Sequence, residues 1–142
     1  MDVKKHFTGV FVMENRINKL EERIEEMRAR QASGGLGDGL GVQKSRNYRR
    51  QEDISVVVME LEGELARAKL VLLNLETQIR AISQGLPDSL PRAIITWRYI
   101  CRLKWKDIAE RAEMSEMQTI REHNAALAQI QENSRLTNSI AN

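Results

Sequence analysis

The side chains best equipped for acid–base, nucleophilic or metal chemistry are His6, His123, Cys101 and the carboxylates, and their spacing argues against all three uses. The two histidines stand far apart, and neither belongs to a His-Glu-x-x-His or paired-cysteine pattern, so no metal site is expected. His123 reads instead as a packed or hydrogen-bonded residue. Cys101, next to Arg102 and without a neighbouring histidine, reads as a small buried apolar residue rather than a nucleophile. The carboxylates are dispersed in the manner of solvated helix faces. No catalytic constellation remains, so the expectation is a protein that is not an enzyme and holds no cofactor. Positive charge is better grouped. Lys44-Ser45-Arg46-Asn47-Tyr48-Arg49-Arg50 carries four positive charges in seven residues, with one aromatic. Such a run can track a phosphate backbone, and it fits a solvated basic linker equally well.

Composition limits what the chain can be. It has 142 residues, 22 Lys+Arg against 20 Asp+Glu, one cysteine, two prolines and 4% aromatic residues. That length suits one domain, or a small domain with an extended arm. So few aromatics with 30% charged residues describe helical surfaces rather than a sandwich or barrel core. One cysteine excludes an internal disulfide, and a reducing, cytoplasmic setting is expected. Apolar runs are too short for a membrane span, and the N-terminus lacks a signal-peptide pattern. A net charge of +2 is nearly neutral, so nucleic-acid binding would have to come from local patches.

The elements that would position any such patch follow from periodicity. Val10, Met13, Ile17, Leu20, Ile24 and Met27 recur at alternating steps of three and four, the pattern of a coiled-coil seam over about Val10 to Arg30. Val3 and Phe7 could extend this helix upstream, although Gly9 weakens the extension. A break follows at Ser33-Gly34-Gly35-Leu36-Gly37-Asp38-Gly39-Leu40-Gly41, where five glycines in nine residues cannot hold a helix. It is not a phosphate loop, since no Gly-Lys-Ser/Thr follows and no strand precedes it. The second helix is expected from about Asp53, as N-cap, to Ser83, before Gly85 and Pro87. Its stripe is Ile54, Val58, Leu61, Leu65, Ala68, Leu72, Leu75, Ile79 and Ile82, again in steps of four and three. Neither stripe can be buried alone in water, so each helix needs a partner, within the chain or in another copy. The second is the longer, and its surplus seam predicts self-association or docking onto another protein.

The carboxyl-terminal third reads as three helices. Asp88 or Ser89 caps the first, with Pro91 in its first turn, and it runs through Trp97 to Arg102. After a break at Leu103-Lys104, Trp105 to Glu113 forms a short helix. Met114-Ser115 is the turn, and Ser115 caps a third helix from Glu116 to about Gln131. That spacing is a helix-turn-helix, with Ala109 where the two helices cross and with Ile108, Met114, Ile120 and Leu127 in the interior. Glu113 stands where glycine is common, so a left-handed backbone there would be mildly strained. Trp97 and Trp105 are expected to anchor this core, and Asn133 to Asn142 to fray.

From Trp97-Arg98-Tyr99 through Trp105-Lys106-Asp107-Ile108-Ala109-Glu110 to Ser115, His123 and Ala126-Leu127, the sequence resembles sigma factor region four. It is most similar to the version in small phage regulators of the ArpU/RinA late-transcription type. The resemblance implies an all-α protein: a two-helix coiled-coil arm over residues 1–84 with a Gly-rich loop at 33–41, a helix-turn-helix domain over 86–131, and a polar tail at 132–142. It further implies binding of double-stranded DNA, control of late phage genes, possible contacts to RNA polymerase, and homo-oligomers assembled through the arm. Carried over by position, Ser115, Glu116, Gln118 and Arg121 would face the groove, with Gln118 matched to adenine and Arg121 to guanine or phosphate. Arg102, Lys104 and Lys106 would meet backbone phosphates; Lys44, Arg46, Arg49 and Arg50 join them as contact candidates on the charge of their own run, not by the resemblance. Two departures stand out. Thr119 replaces an aliphatic residue, and Glu116 and Glu122 place negative charge on the approaching face. Leu86 to Asn142 contains eight basic and seven acidic residues, so binding would be weak and salt-sensitive unless several copies act together. Two other readings fit the same elements: a DNA-packaging protein resembling a small terminase subunit, and a module that binds host polymerase without touching DNA.

Overall fold

The computed structural model describes residues 2–34 and 41–141, with side chains for 2–33 and 48–138. Among these residues the protein is all-helical and contains no strand. Helix α1 spans Val3–Gly34, α2 Gly41–Ser83, α3 Ser89–Ile95, α4 Trp105–Ala112 and α5 Glu116–Ala141, and a π-helical turn over Thr96–Ile100 follows α3 directly. No described helix is long and apolar enough to cross a membrane. The glycine run at 35–40 lies outside the described residues.

Three elements are longer than periodicity alone suggests. Helix α1 continues upstream through Gly9, where an added Cβ would come within 3.5 Å of Leu75 Cδ1, an ordinary contact. Helix α2 begins at Gly41 rather than at Asp53, so the basic run 44–50 is helical and not a linker. Nothing between Val42 and Asp53 breaks a helix, and Gln, Lys, Arg and Glu are good helix formers that leave no apolar stripe to read. Helix α5 runs to Ala141, through nearly all of the proposed polar tail. Its late turns carry a Gln129–Asn133 hydrogen bond of 2.9 Å and a Glu132–Arg135 ion pair of 2.8 Å. Asn133, Ser134 and Thr137 line an open hollow beside Ile82 and Gly85.

The chain divides into two compact units, a middle unit of Met13–Val71 and a terminal unit of Met1–Val12 with Leu72–Asn142. The boundary thus falls inside the helices of the proposed arm instead of at residue 84. In the middle unit α1 and α2 run antiparallel. Cross-helix partners are Glu21 with Lys69 at 3.6 Å, Arg28 with Glu62, and Gln31 with Ser55 at 2.7 Å, so one helix advances as the other retreats. Ile17, Leu20, Ile24, Ile54, Val58, Leu61 and Ala68 are buried between them. The partner each stripe requires is therefore the other helix of the same chain. No stretch of the α2 seam from Ile54 to Ile82 is left exposed, which corrects the expected surplus, because α1 is itself extended.

In the terminal unit the first turns of α1 enter a core with the end of α2, α3, the π turn and α5. Val3, Phe7 and Val10 are buried with Ile79, Leu86, Ile95, Tyr99, Ala126, Leu127 and Ile130. The π turn changes the register expected for residues 92–102. An α-helix would put Trp97 and Cys101 on one inner face, four residues apart. The wider turn, closed by Cys101 N–H donating to Thr96 O at 3.0 Å, carries Tyr99 inward and leaves Cys101 exposed. Trp97 and Trp105 are only half-buried, and Phe7 and Tyr99 hold the centre in their place.

Because Phe7 is fully buried against Tyr99, with ring centroids 5.2 Å apart, Phe7→Ala should cost about 3–5 kcal/mol in chemical denaturation. Val12→Ala, at an exposed position of the same helix, should stay within about 0.5 kcal/mol of the parent. Equal effects of the two substitutions would place the first turns of α1 outside the core.

Candidate functional site

The corner between α4 and α5 is built by its own backbone chemistry. Glu113 has φ 55° and ψ 43°, the left-handed conformation. Met114 N–H donates to Ala109 O at 3.1 Å and Glu113 N–H to Glu110 O at 3.3 Å, the paired closing bonds of a Schellman motif. Helix α5 then starts with a reciprocal cap. Gln118 N–H donates to Ser115 Oγ at 3.1 Å, and Ser115 N–H to Gln118 Oε1 at 3.4 Å. Ala109 and Ile108 are buried where the helices meet, as expected, while Met114 and Ile120 are only half-buried. Thr119 is fully buried, and its hydroxyl donates to Ser115 O at 2.8 Å, which satisfies the group that stands in place of an aliphatic residue.

Beneath the corner lies a polar network at the centre of the terminal unit. Tyr99 Oη and His123 Nε2 are 2.6 Å apart, and His123 Nδ1 is 3.1 Å from Asn124 Oδ1. Both contacts are satisfied when the tyrosine donates and the neutral imidazole carries its proton on Nδ1. Burial lowers the His123 pKa from its ordinary value; the Asn124 hydrogen bond opposes this, and the Arg98 and Lys4 charges reinforce it. Burial pushes the Tyr99 pKa up to about 12, so its hydroxyl remains a donor. Trp105 lies edge-on to His123 at 4.8 Å. The Arg98 guanidinium sits over Phe11 at 4.8 Å and over Trp105 at 4.5 Å, and donates to Leu103 O at 2.9 Å. Sequence reasoning named Phe7 as a helix extension and Arg98 and Tyr99 as motif residues, but assigned none of them to this network.

The proposed contact residues fall into three groups. Lys104 and Lys106, at the start of α4, and Ser115, Glu116, Gln118 and Arg121, at the start of α5, are exposed on the terminal unit. Met117 among them is 66% exposed, and Arg121 Nη2 rests 3.7 Å from its sulfur. Arg102 is committed elsewhere: its Nη1 donates to Glu76 Oε1 at 2.7 Å in a half-buried ion pair, and its φ of 55° marks a backbone held in place by surrounding contacts. That geometry removes it from the expected phosphate-facing set. Gln118 is likewise engaged through its oxygen in the cap, whereas pairing with adenine needs both ends of the amide. Arg49 and Arg50 are exposed on α2 in the middle unit, and the side chains of Lys44 and Arg46 lie outside the described residues. The surface of α4 and the start of α5 is mixed in charge, since Asp107, Glu110, Glu113 and Glu116 are exposed alongside Lys104, Lys106, Arg111 and Arg121. Among the described residues no group of three or more His, Cys, Asp or Glu side chains could hold a metal ion.

Fold and site together define an all-helical protein with an exposed, tightly capped helical corner. Residues 6–132 match the family described as "Protein of unknown function (DUF722)", and the chain belongs to that family. The match reaches from the first turns of α1 well into α5, so it includes residues of both units. No curated protein and no solved structure matches the chain.

Glycine relieves a left-handed backbone, so Glu113→Gly should raise stability by about 1 kcal/mol, read as an increased denaturant midpoint. A decrease would mean that the Glu113 side chain contributes more than its backbone strain costs. His123 has a lowered folded-state pKa, so its stability contribution is present above its unfolded value of 6.5 and is lost as pH falls through that value toward the folded pKa. Melting temperatures between about pH 7.5 and about pH 5 should therefore fall more steeply for the parent than for His123→Gln, which cannot titrate. Parallel profiles would remove His123 as the cause.

Proposed function

We propose that the protein is a DNA-binding transcription regulator in which α4 and α5 act as a helix-turn-helix, similar to sigma factor region four, carried with a coiled-coil arm formed by α1 and α2. The observation that carries this reading is the two-sidedness of α5. Thr119, His123, Ala126 and Leu127 are buried, while Glu116, Met117, Gln118 and Arg121 at its leading end stand in solvent. A recognition helix needs that division, with one face fixed by packing and the first turns free for base edges. Lys104 and Lys106 are the candidates for phosphate contacts, and Arg121 for guanine or phosphate. The resemblance to phage late-transcription regulators of the ArpU/RinA type supplies the regulatory role. With Arg102 paired to Glu76, and with acidic residues among the basic ones, each corner offers few phosphate contacts. Multiple copies on neighbouring half-sites would offset that weakness.

A second reading, docking on RNA polymerase without DNA contact, is favoured by Met117. A solvent-exposed methionine next to Glu116 at the tip of the helix suits a protein surface better than a phosphate backbone.

Fluorescence anisotropy with fragments selected from the source genome separates the two. On the DNA reading, affinity falls steeply with added salt, and Lys106→Ala lowers the salt slope by about 1. Arg121→Ala should weaken binding to the selected fragment by about 1–3 kcal/mol. Binding indifferent to both substitutions, together with nuclease-resistant recovery of polymerase, would replace this reading with the second.

A further inference from the structure

Helix α2 is apolar on two sides. Besides the inner seam, Val56, Met59, Gly63, Ala66 and Leu70 recur at steps of three and four along the opposite, outward side. Val56 is 54% exposed, Met59 71% and Leu70 58%. Outward positions on a packed helix pair are ordinarily polar, and a continuous apolar stripe there marks a surface that something covers. We propose that the occupant is a second copy of this chain, laid antiparallel on the same stripe about a two-fold axis between Gly63 and Ala66.

Self-complementarity under that one operation supports the assignment. Reversing the second copy sets Met59 against Leu70 and Gly63 against Ala66, so large residues meet large ones and the small pair lets the backbones approach at the axis. The flanks answer each other as well. On one side Glu60 faces Arg67 of the second copy, and on the other Glu62 faces Lys69 of the second copy, each repeated by symmetry. Glu62 and Lys69 already pair with Arg28 and Glu21 of their own chain through exposed side chains, so the second copy extends these pairs into alternating networks. A parallel copy would keep one such pair, Glu62 with Arg67, but would set Glu60 opposite Ser55 and leave that charge unanswered. The proposal does not depend on what α5 recognises.

Sedimentation equilibrium on the full chain tests it. The parent should be a dimer at micromolar concentration, and Met59→Glu with Leu70→Glu should be monomeric with unchanged helical circular dichroism. Arg67→Glu should weaken dimerisation about ten-fold, and adding Glu60→Arg to it should restore most of the loss. A monomeric parent, a dimer that survives the Met59→Glu and Leu70→Glu pair, or no recovery on the charge swap would each overturn the proposal. Orientation is read separately in a Cys101→Ser background. Chains carrying Gly63→Cys mixed with chains carrying Ala66→Cys should oxidise to mixed disulfides; crosslinking only of like with like would refute the antiparallel arrangement.

Discussion

Burying a tyrosine without stranding its hydroxyl organises the terminal unit. Tyr99 is drawn inward by the π turn, its ring meets Phe7 and Phe11 from α1, and its hydroxyl reaches His123 on α5. The histidine must stay neutral to accept that hydrogen bond, and its burial keeps it so. The adjacent Arg98 extends the same arrangement, lying between Phe11 and Trp105 and reaching the carbonyl of Leu103 in front of α4. Two consecutive residues in a widened helical turn thus bind α1, α4 and α5 together. A shift of α5 would unpair the Tyr99 hydroxyl from His123, and a shift of α1 or α4 would break ring and cation–π contacts. The exposed corner, closed by its own Schellman bonds and cap, is seated on that network.

Much of this was legible in the sequence, and the remainder was hidden for identifiable physical reasons. Strict alternation of three and four identified the inner seams, because only a helix places those residues on one stripe. The turn at Glu113 and the cap at Ser115 were legible because turn chemistry is local. The π turn was not, since it is one residue's worth of excess winding, and nothing in Thr96–Ile100 announces it. Missing it placed Cys101 inside and left Tyr99 a motif residue with no place in the core. The role of Val3 and Phe7 was hidden for a different reason: a periodic residue shows that it is buried, not against which distant element. Arg102 shows the same limit among candidate contacts, since its pairing with Glu76 joins positions 26 apart in sequence.

The outward stripe on α2 was overlooked for a related reason. Once a helix has one convincing apolar face, its other apolar residues pass as incidental exposure, and single exposed hydrophobics are indeed common on surfaces. Their regular spacing, with the charges set between them, becomes visible only when the inner seam is accounted for and shown to be covered. The same subtraction applies to the acidic residues near α5. With Glu76 spent on Arg102, the exposed Glu116 and Glu113 stand out as features of the surface a partner would meet.

The closure of the terminal unit by the earliest helical turn has a consequence for synthesis. Val3 N–H donates to the side chain of Gln131, a contact between positions 128 apart. Phe7 and Val10 share a core with Leu127 and Ile130, which emerge from the ribosome long after them. During translation the middle segments of α1 and α2 can zip together as soon as both are outside the exit tunnel, whereas the first turns must wait, unburied, for α5. The opening turns of α1 are therefore made before their partners in α5 and reach their native place only after them.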